Sequence, residues 1–300
     1  MKKFIILAIM WSAIIAKAQQ EPQYSQNQFN SNLEINPAYA GANDNASLSL
    51  RYRKQWSGFD GSPSTLSFNG ESKILKNRFA AGLTIIHDEI GILKSTSADL
   101  SLACHVQLTK KSTLSIGIKA GMNSLLSDFS KLTNVDLSDP LYVTRNQTIP
   151  YLGFGALFYN KKLYVGFSVP RFVSFENASP LSKITKPHYY LYGGYRIKLN
   201  EDIELRPALL GKYEAAAPFE ADIAVDAWYK NTVGVGVSYR TSDAVSFTIK
   251  EKSKNFYIGY SFDMTVSGLR TFNSGTHEIY LGYEFGNKNK PDRNQNNRYF

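Results

Sequence analysis

The sequence has one cysteine among its 300 residues, Cys104, so no disulfide can form within the chain whatever compartment it occupies. Cys104 lies on an apolar face and reads as a small hydrophobe rather than a reactive thiol. Histidines are also scarce: His87, His105, His188 and His277. His87-Asp88-Glu89 falls where a strand meets a loop and reads as a solvated rim, because a metal site would need further ligands from elsewhere. His277-Glu278 has no second histidine four residues on, and the segment alternates as a strand where a zinc-protease motif needs a helix. No G-x-S-x-G stretch and no phosphate-cradling glycine loop occurs. These absences argue against an enzyme, and no catalytic residue, cofactor or metal is expected.

A helical membrane span is missing too. The only long apolar run is Phe4 to Ile15, preceded by Lys2-Lys3 and followed by Ala16-Lys17-Ala18. That pattern is a signal peptide with a small-x-small cleavage site, so residues 1–18 are set aside from the fold and the chain is expected to leave the cytoplasm. Removing Lys2, Lys3 and Lys17 from the net charge of +9 leaves about +6, spread largely over turns. Neither a basic helix nor an aromatic RNA-binding motif accompanies it, so no nucleic-acid partner is expected.

Aromatic residues are abundant by contrast, at 13% against only 20% charged residues, with nineteen tyrosines. Such a balance suits a sheet that faces lipid and carries Tyr and Trp at its interfaces. The stretch from 96 to 123 shows how. Ala98, Leu100, Leu102, Cys104, Val106 and Leu108 alternate with Asp99, Ser101, His105 and Gln107, and after Lys110-Lys111 the period resumes at Leu114, Ile116, Ile118, Ala120 and Met122. One face is apolar and the other polar or small, the signature of a half-buried strand pair.

The same rhythm predicts strands at 46–53, 64–73, 79–87, 95–109, 112–123, 150–160, 163–170, 187–199, 203–213, 220–229, 232–241, 244–251, 255–264 and 276–285. Most have the length of about 9–11 residues that a tilted transmembrane strand needs. Short turns at 110–111, 160–162, 200–202, 230–231 and 252–254 alternate with longer links at 54–63, 88–94, 124–149, 171–186, 214–219 and 265–275. Thr241-Ser242-Asp243 is too short for its place in that alternation. The expected fold is all-β: an up-and-down antiparallel transmembrane β-barrel of about 14 strands in the outer membrane, with both termini at the short-turn rim. A soluble sandwich would need a second apolar layer that the alternation does not supply. The expected organisation is a periplasmic segment over 19–45, the barrel over 46–285 and a flexible polar tail over 286–300. Gly117, Gly121, Gly166, Gly234, Gly236 and Gly259 face inward, where they read as points of curvature or as a conduit lining.

Tyr24-Ser25-Gln26, Asn36-Pro37-Ala38-Tyr39-Ala40-Gly41 and the stretch RYRKQWSGFDGSPSTLSFNG, with Arg53, Gln55-Trp56, Gly58, Gly61, Pro63 and Thr65, resemble the opening signature of the PorP/SprF family. Ser274-Gly275 and His277-Glu278-Ile279 resemble the family's last two strands. The resemblance implies an outer-membrane barrel of the Bacteroidetes type IX secretion and gliding machinery. It further implies a non-catalytic part in secretion or surface attachment of a large exported protein, often an adhesin with a C-terminal sorting domain. Implied partners are outer-membrane lipid, that exported protein and other components of the secretion system.

Two stretches are candidates for partner binding: Asn36, Pro37, Tyr39 and Gly41 in the first, and Arg53, Gln55, Trp56 and Phe59 in the second. NPAYAG reads as a turn leading into the first strand, with Pro37 fixing φ and Gly41 allowing a positive one. The secondary reading is that residues 19–44, a polar segment rich in Gln and Asn, dock a periplasmic component or plug the lumen. RKQWSGFDGSP either anchors the outer interface or forms a hot spot for a secreted client. The competing function is a passive porin whose inward Lys, Asp and Gly residues line a water-filled channel.

Overall fold

A computed structural model describes residues 33–43, 45–74, 78–128, 145–174, 187–215 and 217–286. The expected signal peptide, the tail beyond Gly286 and the centres of the 124–149 and 171–186 links lie outside them. Fifteen strand segments run in order: β1 (Ala46–Lys54), β2 (Ser64–Ile74), β3 (Phe79–Ile90), β4 (Leu93–Thr109), β5 (Ser112–Ser127), β6 (Arg145–Asn160), β7 (Leu163–Ser174), β8 (Tyr189–Tyr195), β9 (Ile197–Lys198), β10 (Ile203–Tyr213), β11 (Glu220–Tyr229), β12 (Val233–Arg240), β13 (Ala244–Ser253), β14 (Phe256–Thr265) and β15 (Thr276–Phe285). β8 and β9 both pair with β10 and form one strand interrupted at Arg196, whose N–H donates across to the Lys162 carbonyl at 2.8 Å. The barrel therefore has fourteen strands, matching the predicted windows one for one.

Every neighbouring pair is antiparallel, and β1 pairs with β15 as well as β2, from Ala46↔Phe285 to Lys54↔His277. β11 pairs with β10 and β12. The sheet is thus closed and leaves no edge strand, the condition for a sheet to cross hydrocarbon. Residue alternation follows the pleat with polarity reversed from a soluble protein. Leu100, Ile118 and Leu191 are 64%, 61% and 60% exposed on the outside, while Ser115, Ser168 and Ser261 are 0% exposed within. An apolar outer band of this kind is stable only against lipid.

The turns explain where the sequence reading misjudged the links. Ile90 pairs with Leu93, so the expected 88–94 loop is a two-residue turn in which Gly91 has φ +58, the positive value a type II′ hairpin requires at its first central position. β5 and β6 extend in register to Ser127↔Arg145, narrowing the 124–149 link. The short link at Thr241–Asp243 does close a hairpin, with Arg240 opposite Ala244 and Ser242 taking φ +59. At the other rim, Asn160 and Asn200 play one role twice: each side-chain oxygen accepts from two backbone N–H groups that follow it and so fixes a tight turn.

Candidate functional site

Residues 33–43 lie inside the barrel, and Leu33 through Ala42 are buried. Asn36 caps a 3-10 turn, Pro37–Tyr39: its Oδ1 accepts from the Ala38 N–H at 2.8 Å, and Pro37 supplies the fixed φ at the first helical position. The Asn36 amide also donates to the Ala156 carbonyl at 3.0 Å and to Phe167 at 3.4 Å, tying the turn to β6 and β7. Gly41 ends the motif with φ +67 and donates its N–H to Glu71 at 3.0 Å. NPAYAG therefore forms a turn, and that turn lies buried inside the barrel.

The wall is shaped to receive it. Gly117 on β5 and Gly155 on β6 lie directly opposite each other. A Cβ on Gly117 would strike the Pro37–Ala38 peptide, and one on Gly155 would strike the Asn36 amide. At Gly117, read from the sequence as curvature or conduit lining, and at Gly155 the segment 36–38 occupies the space that side chains would fill. Ile35, Ala38, Tyr39 and Ala42 pack with Leu157, Tyr159, Tyr164, Tyr190, Tyr192 and Leu210 into the largest buried apolar cluster among the described residues. Leu33 and Ala40 form a second with Ala80 and Ala103.

Polar contacts fix the plug in register. Glu34 accepts from Arg51 at 2.6 Å, Ser67 at 2.7 Å and Asn69 at 2.9 Å. Burial pushes the Glu34 carboxyl up, but the Arg51 charge and these donors outweigh it and hold the group below the ordinary glutamate range. Lys119 donates to the Glu34 carbonyl at 2.9 Å and pairs with Asp99 at 3.3 Å. His105 donates from Nε2 to the Ala40 carbonyl at 2.8 Å and accepts on Nδ1 from the Tyr159 hydroxyl at 3.2 Å.

Arg53 faces inward, 1% exposed, at the centre of a chain of ion pairs along the opposite wall. Glu34 joins Arg51, Arg51 joins Glu278 at 3.5 Å, and Glu278 joins Arg53 at 3.2 Å. Arg53 joins Asp263 at 2.7 Å, Asp263 joins Arg240 at 3.5 Å, and Arg240 joins Asp222 at 3.4 Å. Sequence reasoning missed Glu34, Lys119, Glu278 and Gly155. The alternation places the last three on the inner face, but what they meet is far away in sequence: the plug for Lys119 and Gly155, and Arg51 and Arg53 for Glu278.

Gln55, Trp56 and Phe59 sit on the β1–β2 loop at the rim opposite the chain's entry into β1. The loop is laced to its neighbours: Ser57 exchanges backbone bonds with Gly275 and Ser274, both at 2.7 Å, Trp56 N–H donates to Thr276 Oγ1 at 3.1 Å, and Gly91 N–H donates to Gly61 at 3.0 Å. Barrel closure thus brings together the two stretches, near either end of the chain, that carried the family resemblance. Gln55 and Trp56 are half-buried and Phe59 is 50% exposed. Among the described residues no cluster of three or more His, Cys, Asp and Glu is arranged to hold a metal. His87 instead binds Thr96 and Glu89, and His277 meets the Tyr260 hydroxyl at 2.7 Å on the outer wall.

Residues 16–283 match the family described as type IX secretion system membrane protein PorP/SprF. Among solved structures, the Acinetobacter baumannii outer membrane protein Omp33 is 9% identical over 80% of this chain and 99% of its own, with a TM-score of 0.48. A Pseudomonas aeruginosa FadL homologue is 12% identical over 84% and 93%, with a TM-score of 0.46. CdiB from Acinetobacter baumannii is 8% identical over 80% of this chain, which spans 60% of the CdiB chain, with a TM-score of 0.44. No curated protein matches the chain in sequence.

Proposed function

The chain belongs to the PorP/SprF family of type IX secretion system membrane proteins, and from that premise we propose that it is a stoppered, non-catalytic barrel of the outer membrane that supports secretion or surface attachment of a large exported protein. The observation that carries this reading is the division of labour between lumen and rim. Residues 33–43 fill the interior and are bonded to its wall on several strands, which disfavours passive solute flow. The rim offers a loop whose shape is set beforehand by backbone bonds and which exposes Phe59. Loops held by a rigid scaffold are where recognition concentrates, and preordering lowers the entropy cost of binding.

Of the eight candidate residues, Gln55, Trp56 and Phe59 are in position to touch a partner directly. Arg53, Asn36, Pro37, Tyr39 and Gly41 act through the interior, by holding wall and plug together. The short-turn rim faces the periplasm and the laced rim the cell surface, as in barrels of this architecture. The exported partner carries a C-terminal sorting domain, and other components of the secretion system join it. A signal peptide over 1–18 delivers the chain to the envelope.

A tagged copy extracted from outer membranes in mild detergent, with co-purifying proteins quantified by mass spectrometry, tests the proposal. A near-stoichiometric exported protein or secretion component is expected. A solitary barrel that conducts ions in a planar bilayer would replace this reading with the porin one.

A further inference from the structure

The β14–β15 link carries an observation that the partner role does not use. Its 3-10 turn, Gly268–Phe272, has no buried residue, and Val266, Leu269 and Phe272 are 41%, 41% and 67% exposed. The segment nevertheless has a fixed shape. Val266 N–H donates to the Asp243 carbonyl at 2.8 Å, Asn273 bonds Thr265, Leu269 and Gly275, and Ser274 is held by Ser57. Apolar side chains are therefore held outward by a framework of hydrogen bonds, against the tendency of such groups to fold onto protein.

Their surroundings identify what covers them. Met264, the last outward residue of β14 and two positions before Val266, is 44% exposed and belongs to the lipid-facing band, as do Ile279 on β15 and Tyr52 on β1. The apolar surface of the link continues that band past the end of the strand. Arg270 stands between Leu269 and Phe272, and among the described residues no carboxylate pairs with it. Lys54 and His277 lie opposite each other at the same rim, where β1 ends and β15 begins. Apolar and aromatic groups interleaved with the basic side chains of Arg270 and Lys54 at the edge of a hydrophobic band match the boundary between acyl chains and anionic headgroups.

We propose that residues 266–272 form an interfacial anchor, with Leu269 and Phe272 dipping into the leaflet at that rim and Arg270 holding the phosphate of an anionic lipid. The occupant is lipid, because exposed Val266 continues the outward alternation of the lipid-facing wall and exposed Leu269 and Phe272 follow it in the same link. The anchor fixes the height of the laced loops above the bilayer. It requires only that the barrel sit in a membrane and does not depend on which protein binds at the rim.

The test uses the full chain with Cys104→Ser, carrying a nitroxide at Leu269→Cys or Phe272→Cys, reconstituted in nanodiscs containing phosphatidylglycerol. Each variant is first checked for the heat-dependent gel shift of a folded barrel. Greater relaxation of both labels by oxygen than by an aqueous nickel chelate is expected, with Arg270→Gln retaining severalfold less phosphatidylglycerol in native mass spectrometry. Two results overturn the proposal: labels relaxed mainly by nickel, as in water, or labels shielded from both agents, as under a protein surface. Unchanged phosphatidylglycerol retention in Arg270→Gln removes the headgroup contact.

Discussion

The two sides of the lumen are filled by different chemistry. From β3 to β10 a patch of tyrosine, leucine and glycine on the wall receives a separate piece of chain, residues 33–43, seated by shape and by hydrogen bonds from Lys119 and His105. From β11 to β15 and onto β1 the wall carries a chain of arginines and carboxylates, and the strands' own ion pairs span that side. The first arrangement can in principle be emptied without unmaking the barrel; the second cannot, because every member is a wall residue. Arg51 joins the two, taking Glu34 of the plug on one side and Glu278 of the wall on the other.

The largest effect should come from breaking the charged side. Arg53→Ala leaves Glu278 and Asp263 without one of their guanidinium partners in a buried site, and removing one member of such a pair costs about 3–5 kcal/mol. Urea unfolding of the barrel in lipid should move to a correspondingly lower midpoint, with the plug side unable to compensate. Gly117→Val attacks the other side, where overpacking costs about 1–3 kcal/mol. Here the barrel should keep its heat-dependent gel shift while residues 33–43 become open to protease. Protection equal to wild type would mean the plug does not need that seat.

A smaller effect separates the two at their junction. Glu34 sits below the ordinary glutamate range, so its contribution is complete above that range and is lost as pH falls through the lowered value. Protease should therefore reach the plug in acid before the barrel itself yields, and Glu34→Gln should show at neutral pH part of the loosening that acid causes. Charge-assisted hydrogen bonds of this kind contribute about 1.5–3 kcal/mol, which sets the scale. The smallest effect on the fold is expected at the rim. Phe59→Ala should change stability by no more than about 0.5 kcal/mol, since the side chain lies on an exposed loop outside the packed interior. If Phe59 is a contact of hot-spot strength, about 2 kcal/mol or more, partner retention should fall more than tenfold in the same variant.

Most of the wall was legible in the sequence because a strand's period is local. Leu100 and Ser101 announce opposite faces by adjacency alone, and fourteen such alternations give fourteen strands. Strand ends were less legible where the alternation broke, as at the adjacent Leu125 and Leu126 and in the wholly polar Arg145-Asn146-Gln147-Thr148, and where one glycine, Gly91, replaced a loop. The interior was the least legible part. That Asn36 reaches Ala156, 120 residues on, or that Ser57 pairs with Ser274, follows from barrel closure and not from any local pattern. One signal was present: Gly117 and Gly155 fall on the inner face of adjacent strands, and two facing residues without side chains leave a gap that something must fill.

Conductance in a planar bilayer tests the central claim most directly, comparing the intact chain with one lacking residues 33–42, each first shown to be a folded barrel. The account predicts a silent intact barrel and a steady open channel once the segment is removed. An intact barrel that conducts as freely as the deletion would contradict it.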